Sequence, residues 1–201
     1  GTACSGQAFN ETPCDCYGGA ARRQTFLGDS RDEPHVVSID LGDYFSGSGL
    51  FFSSFHGNAS AEMFSLARYE AFGLAYRDLS AYRGEADGAA ALATHISRMR
   101  GVDPNAPKPV LTNFNASVHP ALDGLLARHS IVNLTGGWRL AFLSLLVSAD
   151  LHTVYPELAL GQLEARQSLM VEMHELHQLE GGMPEVVVLS LHHDGTLQER
   201  G

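Results

Sequence analysis

Lysine is almost missing from this chain: Lys108 is the only one, and 13 basic residues stand against 23 acidic ones. The formal net charge of -10 leaves no electrostatic footprint for nucleic acid, which removes that class of partner. Long apolar runs are absent as well. The most apolar stretch, 138–147, is too short to span a bilayer and is interrupted by Arg139, so no transmembrane segment is expected. No signal peptide is visible, which leaves open both a mature chain and one whose start lies upstream. Cysteine is scarce, and none lies beyond position 16: the three are Cys4, Cys14 and Cys16. In an oxidising compartment Cys4 is expected to bridge to Cys14 or to Cys16, because a direct Cys14–Cys16 link would close a strained small ring. The odd cysteine is then available to another chain. A zinc site is the runner-up, short of ligands because no histidine lies nearby.

What is present is enough for one sizeable core and too little for two: 201 residues, 44% of them hydrophobic. Of the 6 asparagines, 4 stand in Asn-X-Ser/Thr sequons, at Asn10, Asn58, Asn115 and Asn133. That density exceeds chance and points to a glycoprotein of the secretory pathway, extracellular or at the cell surface.

The pattern alternates strands and helices, as α/β folds do. A β-branched run over 35–41 reads as a buried strand that delivers the Gly42-Asp43 loop. Helical spacing covers 59–72, 86–99 and 160–179, the last ending at Gly181-Gly182. Short strands are expected at 69–72, 110–114 and 185–191. Segment 131–147 reads as a hairpin turned at Gly136-Gly137, its second strand deep in a sheet. Three loops thus follow strands, at Gly42-Asp43, at 74–78 and at 192–195. Ligand sites in open α/β sheets gather at such carboxyl ends.

Five segments give these loops a chemical reading. They are Gly18-Gly19-Ala20-Ala21-Arg22-Arg23, Leu41-Gly42-Asp43-Tyr44-Phe45-Ser46-Gly47-Ser48, the run from Tyr69 to Asp78, Val110-Leu111-Thr112-Asn113-Phe114, and Val187 to Gly195. In order and spacing, from Cys16 to His193, they resemble the metal-binding half of a calcineurin-like metallophosphoesterase of the 5′-nucleotidase type. The counterparts are Gly-Gly-X-Ala-Arg, Gly-Asp-X-Phe-X-Gly-Thr, Tyr-Asp-Ala-Met-X-Leu-Gly-Asn-His-Glu, Leu-Ser-Ala-Asn and Ser-His-Leu-Gly. The resemblance implies an α/β sandwich of mixed β-sheets flanked by helices. It divides the chain into a cysteine-containing segment, 1–17, and a metallophosphoesterase-like domain, 18–201. That domain is incomplete on its C-terminal side, because the Gly-His-X-His that would close the metal site is expected past Gly201.

Carried over residue by residue, the implied metal ligands are few. Asp43 matches the bridging carboxylate, and His193, or His192 with a one-residue slip, matches a metal histidine. The Asn-His pair is replaced by Tyr76-Arg77, a poor ligand and a non-ligand. Asp78 stands for the Glu. Cys4-Ser5-Gly6 falls where Asp-X-His belongs. An ion pair between Arg77 and Asp43 is the expected substitute for the metal centre. The implied function is a non-catalytic 5′-nucleotidase-like domain that acts in binding or assembly. Its partners would be other protein chains or the remainder of a longer polypeptide, with no resident cofactor. The alternative is an active extracellular phosphoesterase. Zinc, manganese or iron would then sit on Asp43 and His193, and Arg77 would steady the phosphoryl charge as a catalytic residue. A third reading keeps nucleotide or phosphate binding without turnover. Bland readings suffice elsewhere. His174 and His177 belong to a solvated helix face, and Ser38, Ser144 and Ser190 lie in strands without a nucleophile elbow.

Overall fold

The computed structural model describes residues 20–31, 33, 35–43, 58–80, 88–102, 105–147 and 159–193. Segment 1–17, with Cys4, Cys14, Cys16 and Asn10, lies outside the described residues, as does the side chain of His193. In chain order the elements are α1 (Ala20–Arg31), β1 (Ile39–Asp40), α2 (Asn58–Ala67), β2 (Ala71–Phe72), α3 (Tyr76–Ser80) and α4 (Gly88–Val102). A 3-10 turn (Ala116–Val118), β3 (Ser130–Asn133), β4 (Arg139–Val147), α5 (Ala165–His177) and β5 (Val186–His193) follow.

β1 and β2 pair in parallel, and single bridges from Gly73 to Val110 and from Val110 to Ala127 widen that layer. The second sheet has the order β3-β4-β5, antiparallel on one side of β4 and parallel on the other. Ala71, Val110, Val132, Leu140 and Phe142 fill the space between the two sheets, together with Ile39, Val186 and Val188. A cluster that includes Leu27, Phe64, Phe72, Leu92, Ile96 and Met99 is shared by the first sheet with α1, α2 and α4. α5 covers the outer face of the second sheet through Leu169, Met173 and Leu176 against Ala141 and Leu143. The result is the α/β sandwich of mixed sheets flanked by helices that the sequence implied. Every residue of β4 from Leu140 to Leu146 is buried, as its continuous apolar run requires of a central strand.

Several boundaries moved, each for a local reason. α2 stops at Ala67 because Arg68 takes a left-handed conformation, φ 48, and gives its N–H to Ser65 O. α5 begins at Ala165 because the Glu164 carboxylate caps the amides of Arg166 and Gln167. The strand expected over 35–41 is regular only at Ile39–Asp40.

The strand expected at 110–114 shrinks to isolated bridges at Val110 and Phe114. Toward β4 one main-chain bond remains, Thr112 N–H to Ser144 O at 2.7 Å, and side chains supply the rest. Thr112 Oγ1 accepts the Ser144 N–H at 3.0 Å. Asn113 Oδ1 accepts the Leu146 N–H at 2.9 Å, and its Nδ2 donates to Leu146 O and Leu163 O at 2.8 and 3.2 Å.

The return from α5 to β5 is pinned by one guanidinium. Arg139 donates to the carbonyls of Glu180, Gly181 and Gly182 at 3.0, 2.8 and 2.8 Å. Gly181 and Gly182 occupy positive φ, 88 and 82, which presents those carbonyls on one side. Replacing Arg139 by lysine or alanine is expected to cost about 1–3 kcal/mol, since an ammonium cannot span the three acceptors. A drop in the urea midpoint, equal for both variants, checks it.

Candidate functional site

The carboxyl ends of β1 and β2 lie side by side, so the loops 41–43 and 73–78 share one rim. Asp40 closes β1 and turns its Oδ1 back to the Gly42 N–H at 3.0 Å. Burial holds the Asp40 carboxyl above the ordinary carboxylate range, against the lowering pull of that amide, of Arg23 and of the Tyr69 hydroxyl. Asp40 escaped the motif reading. The signal available was a second carboxylate at the strand's end, three positions before Asp43.

Asp43 is exposed and sits in the left-handed region, φ 59, directly after Gly42 at φ 108. Its Oδ1 accepts the main-chain N–H of Arg77 at 3.1 Å. The contact that joins these two residues is therefore amide to carboxylate, which corrects the expected guanidinium ion pair. The reason is secondary structure. Residues 76–78, expected within the loop 74–78, open the short helix α3, and the free amides of its first turn attract the nearest carboxylate. Tyr76, in the same turn, packs against the apolar core.

Asp78 is fully buried. Its Oδ2 accepts two amides, Asp43 N–H at 2.7 Å and Ala75 N–H at 2.9 Å. Gly42 is required by this approach: a Cβ there would lie 2.9 Å from Ala75 N and 3.2 Å from Asp78 Oδ2.

β5 runs parallel to β4, with His192 opposite Leu146 and His193 opposite Val147. His192 Nε2 and Ser190 Oγ are 2.8 Å apart, a hydrogen bond along one face of the strand. By the period of two, that face also carries Val188, in the layer between the sheets. His192, the alternative candidate, thus has a defined partner and a defined face. Asn113 spends both ends of its side chain on Leu146 and Leu163.

A second polar cluster lies outside the rim. Glu172 of α5 is fully buried and accepts Arg128 Nε at 2.7 Å on one oxygen and pairs with His129 Nδ1 at 2.5 Å on the other. Burial alone would raise the Glu172 carboxyl, but the hydrogen bonds from His129 and Arg128 outweigh it and hold it below the usual range. His174 and His177 are exposed on the same helix.

No protein-family model matches the chain. A snake venom 5′-nucleotidase from Gloydius brevicauda is 36% identical over 72 residues, which is 35% of this chain and 11% of that protein. Among solved structures, a 5′-nucleotidase precursor from Thermus thermophilus superposes with a TM-score of 0.69 at 26% identity, over 87% of this chain and 31% of that one. The calcineurin-like phosphoesterase YfkN from Bacillus subtilis matches with a TM-score of 0.54 at 14% identity, over 90% of this chain and 55% of that one. The fold is that of the calcineurin-like phosphoesterases. Within that fold the chain is similar to domains of the 5′-nucleotidase type, and it spans about a third or less of the relatives that share that name.

Such a fold implies a metal centre, and the donor set here can be tested against it. Among the described residues, no three His, Cys, Asp or Glu side chains lie close enough to share an ion. Asp78 and Asn113 face inward, with one oxygen of Asp78 and the side-chain oxygen of Asn113 committed to main-chain amides, and one oxygen of Asp43 is committed to Arg77. These residues do not fit a two-metal centre.

Proposed function

We propose that this domain works in binding or assembly within a secreted or cell-surface glycoprotein, and does not hydrolyse phosphate esters. The observation that carries the reading is the commitment of Asp43 and Asp78 to loop amides, beside Tyr76 and Arg77 at positions where the resemblance calls for ligands. A fold outlasts its chemistry when the sandwich serves another purpose. The secretory setting is supported by the sequons. Asn58, Asn115 and Asn133 are exposed, and Asn115 Oδ1 accepts both the amide and the hydroxyl of Ser117, the sequon's own third residue. The name of the venom relative agrees with an extracellular setting. No helix among the described residues is long and apolar enough to cross a membrane.

Other chains, or further parts of the same polypeptide, would dock on β5. Among the described strands it is the edge of its sheet, and Val187, Leu189 and Leu191 stand 36%, 44% and 62% exposed along it with no charge between them. The test is turnover of adenosine monophosphate and of 4-nitrophenyl phosphate with zinc, manganese or iron supplied. The expected result is no hydrolysis above buffer. Hydrolysis together with stoichiometric metal would establish the active reading, with Asp43 and His193 as ligands. Thermal shift with adenosine nucleotides separates silent binding from none, because a bound ligand raises apparent stability.

A further inference from the structure

We infer that the two loops which would hold divalent metal in this fold form, in this chain, a cation-free clasp in which Asp43 and Asp78 cap one short helix from two sides. The inference rests on the site geometry behind the non-catalytic reading and extends it to the ion itself.

A helix of five residues is almost all terminus, so its first amides need acceptors from outside. The residue before α3 is Ala75, whose methyl group accepts nothing. Ser, Thr, Asp or Asn usually serves at that position. Here the missing cap comes from a distant loop: Asp43 lies 34 residues upstream of Arg77 and takes its N–H. Asp78, third in the helix, supplies the other half of a capping box by reaching back to the Ala75 N–H. The same oxygen then accepts the Asp43 N–H, which closes the ring of contacts. Gly42, at positive φ and within 2.9 Å of Ala75 N by its would-be Cβ, lets the two backbones meet.

A cation would have to compete with this arrangement. A carboxylate can bridge two ions through both oxygens or through one, and Asp43, with one oxygen on an amide, has only the single-oxygen mode free of competition. The buried Asp78 has given one oxygen to two amides, and opening the clasp would expose three main-chain donors that it satisfies.

The experiment uses the full chain and reads thermal midpoint and residue-resolved amide exchange, with EDTA, with manganese chloride and with zinc chloride. The expected result is an unchanged midpoint under all three. Asp43→Asn is expected to keep the Arg77 amide protected, because an amide carbonyl caps as well as a carboxylate. Asp43→Ala is expected to raise exchange at Arg77 by about tenfold or more. Asp78→Ala should do the same at Asp43 and Ala75, and Asp43→Ala at the exposed loop keeps the test decisive if the buried variant fails to fold. A metal-dependent rise in midpoint that Asp43→Asn abolishes would overturn the clasp, as would unchanged Arg77 exchange in Asp43→Ala. Hydrolysis that leaves midpoint and Arg77 protection untouched would sink the non-catalytic reading alone.

Discussion

Asn113→Ala is expected to destabilise the fold by about 3–5 kcal/mol, a large fraction of the total stability of a domain this size. The side chain is wholly buried and stitches three main-chain groups of two other segments. Removing it leaves the Leu146 N–H and the Leu163 carbonyl without that partner, and each orphaned buried group costs about 1–3 kcal/mol. The Leu146 carbonyl keeps one donor, Gln162 Nε2 at 3.3 Å, so it adds little. Asn113→Asp sharpens the test. It preserves the acceptor for the Leu146 N–H but turns a second oxygen toward two carbonyls, so it should be at least as damaging. Urea denaturation followed by circular dichroism measures both. A loss under about 1 kcal/mol in either variant would show that the side chain is incidental to holding 110–114 against β4.

The second large effect is acid sensitivity, and it starts above the carboxylate range. His95 of α4 is 2% exposed, and burial, reinforced by Arg98, lowers its pKa from 6.5 to about 4. The unfolded chain therefore binds a proton that the folded chain refuses. Stability falls as pH drops from 6.5 toward 4, by about 3 kcal/mol in all, and is constant above that window. Glu172 acts in the same direction at lower pH. Its folded pKa is depressed below the ordinary 4.5, so the stability it contributes is present above that value and is lost as pH falls through the folded pKa. Two limbs are expected in a plot of urea midpoint against pH. His95→Leu should flatten the upper limb and leave the lower one, and Glu172→Gln should lower stability near neutrality and shrink the lower limb, which the depressed carboxyls of Glu164 and Glu185 share. An upper limb that persists in His95→Leu would assign it to another group.

Much of the fold was readable without coordinates. The apolar run of β4, the hairpin at Gly136-Gly137, the amphipathic spacing of α5 and the β-branched run of β5 all report burial through local periodicity. The segments shared with 5′-nucleotidase-type domains were readable in the same way, as short strings in order. Boundaries were less so. Arg68 ends a helix by adopting a conformation that its residue type does not announce, and Glu164 starts one by a cap that its neighbours could equally have supplied.

The candidate site divides along a similar line. That Tyr76 and Arg77 stand where coordinating side chains are needed follows from residue identity, because a phenol and a guanidinium keep their chemistry in any fold. Where Asp43 and Asp78 spend their oxygens does not. A carboxylate accepts from whichever donor the chain brings within about 3 Å, and those donors lie 34 and 35 residues away or on the far side of a turn. The same holds for Asn113 with Leu146 and for Glu172 with His129. Local pattern thus specifies which surfaces are buried, since burial follows hydrophobic period. The pairing of buried polar groups is settled only when distant segments pack, since each hydrogen bond depends on a separation that no local stretch of chain encodes.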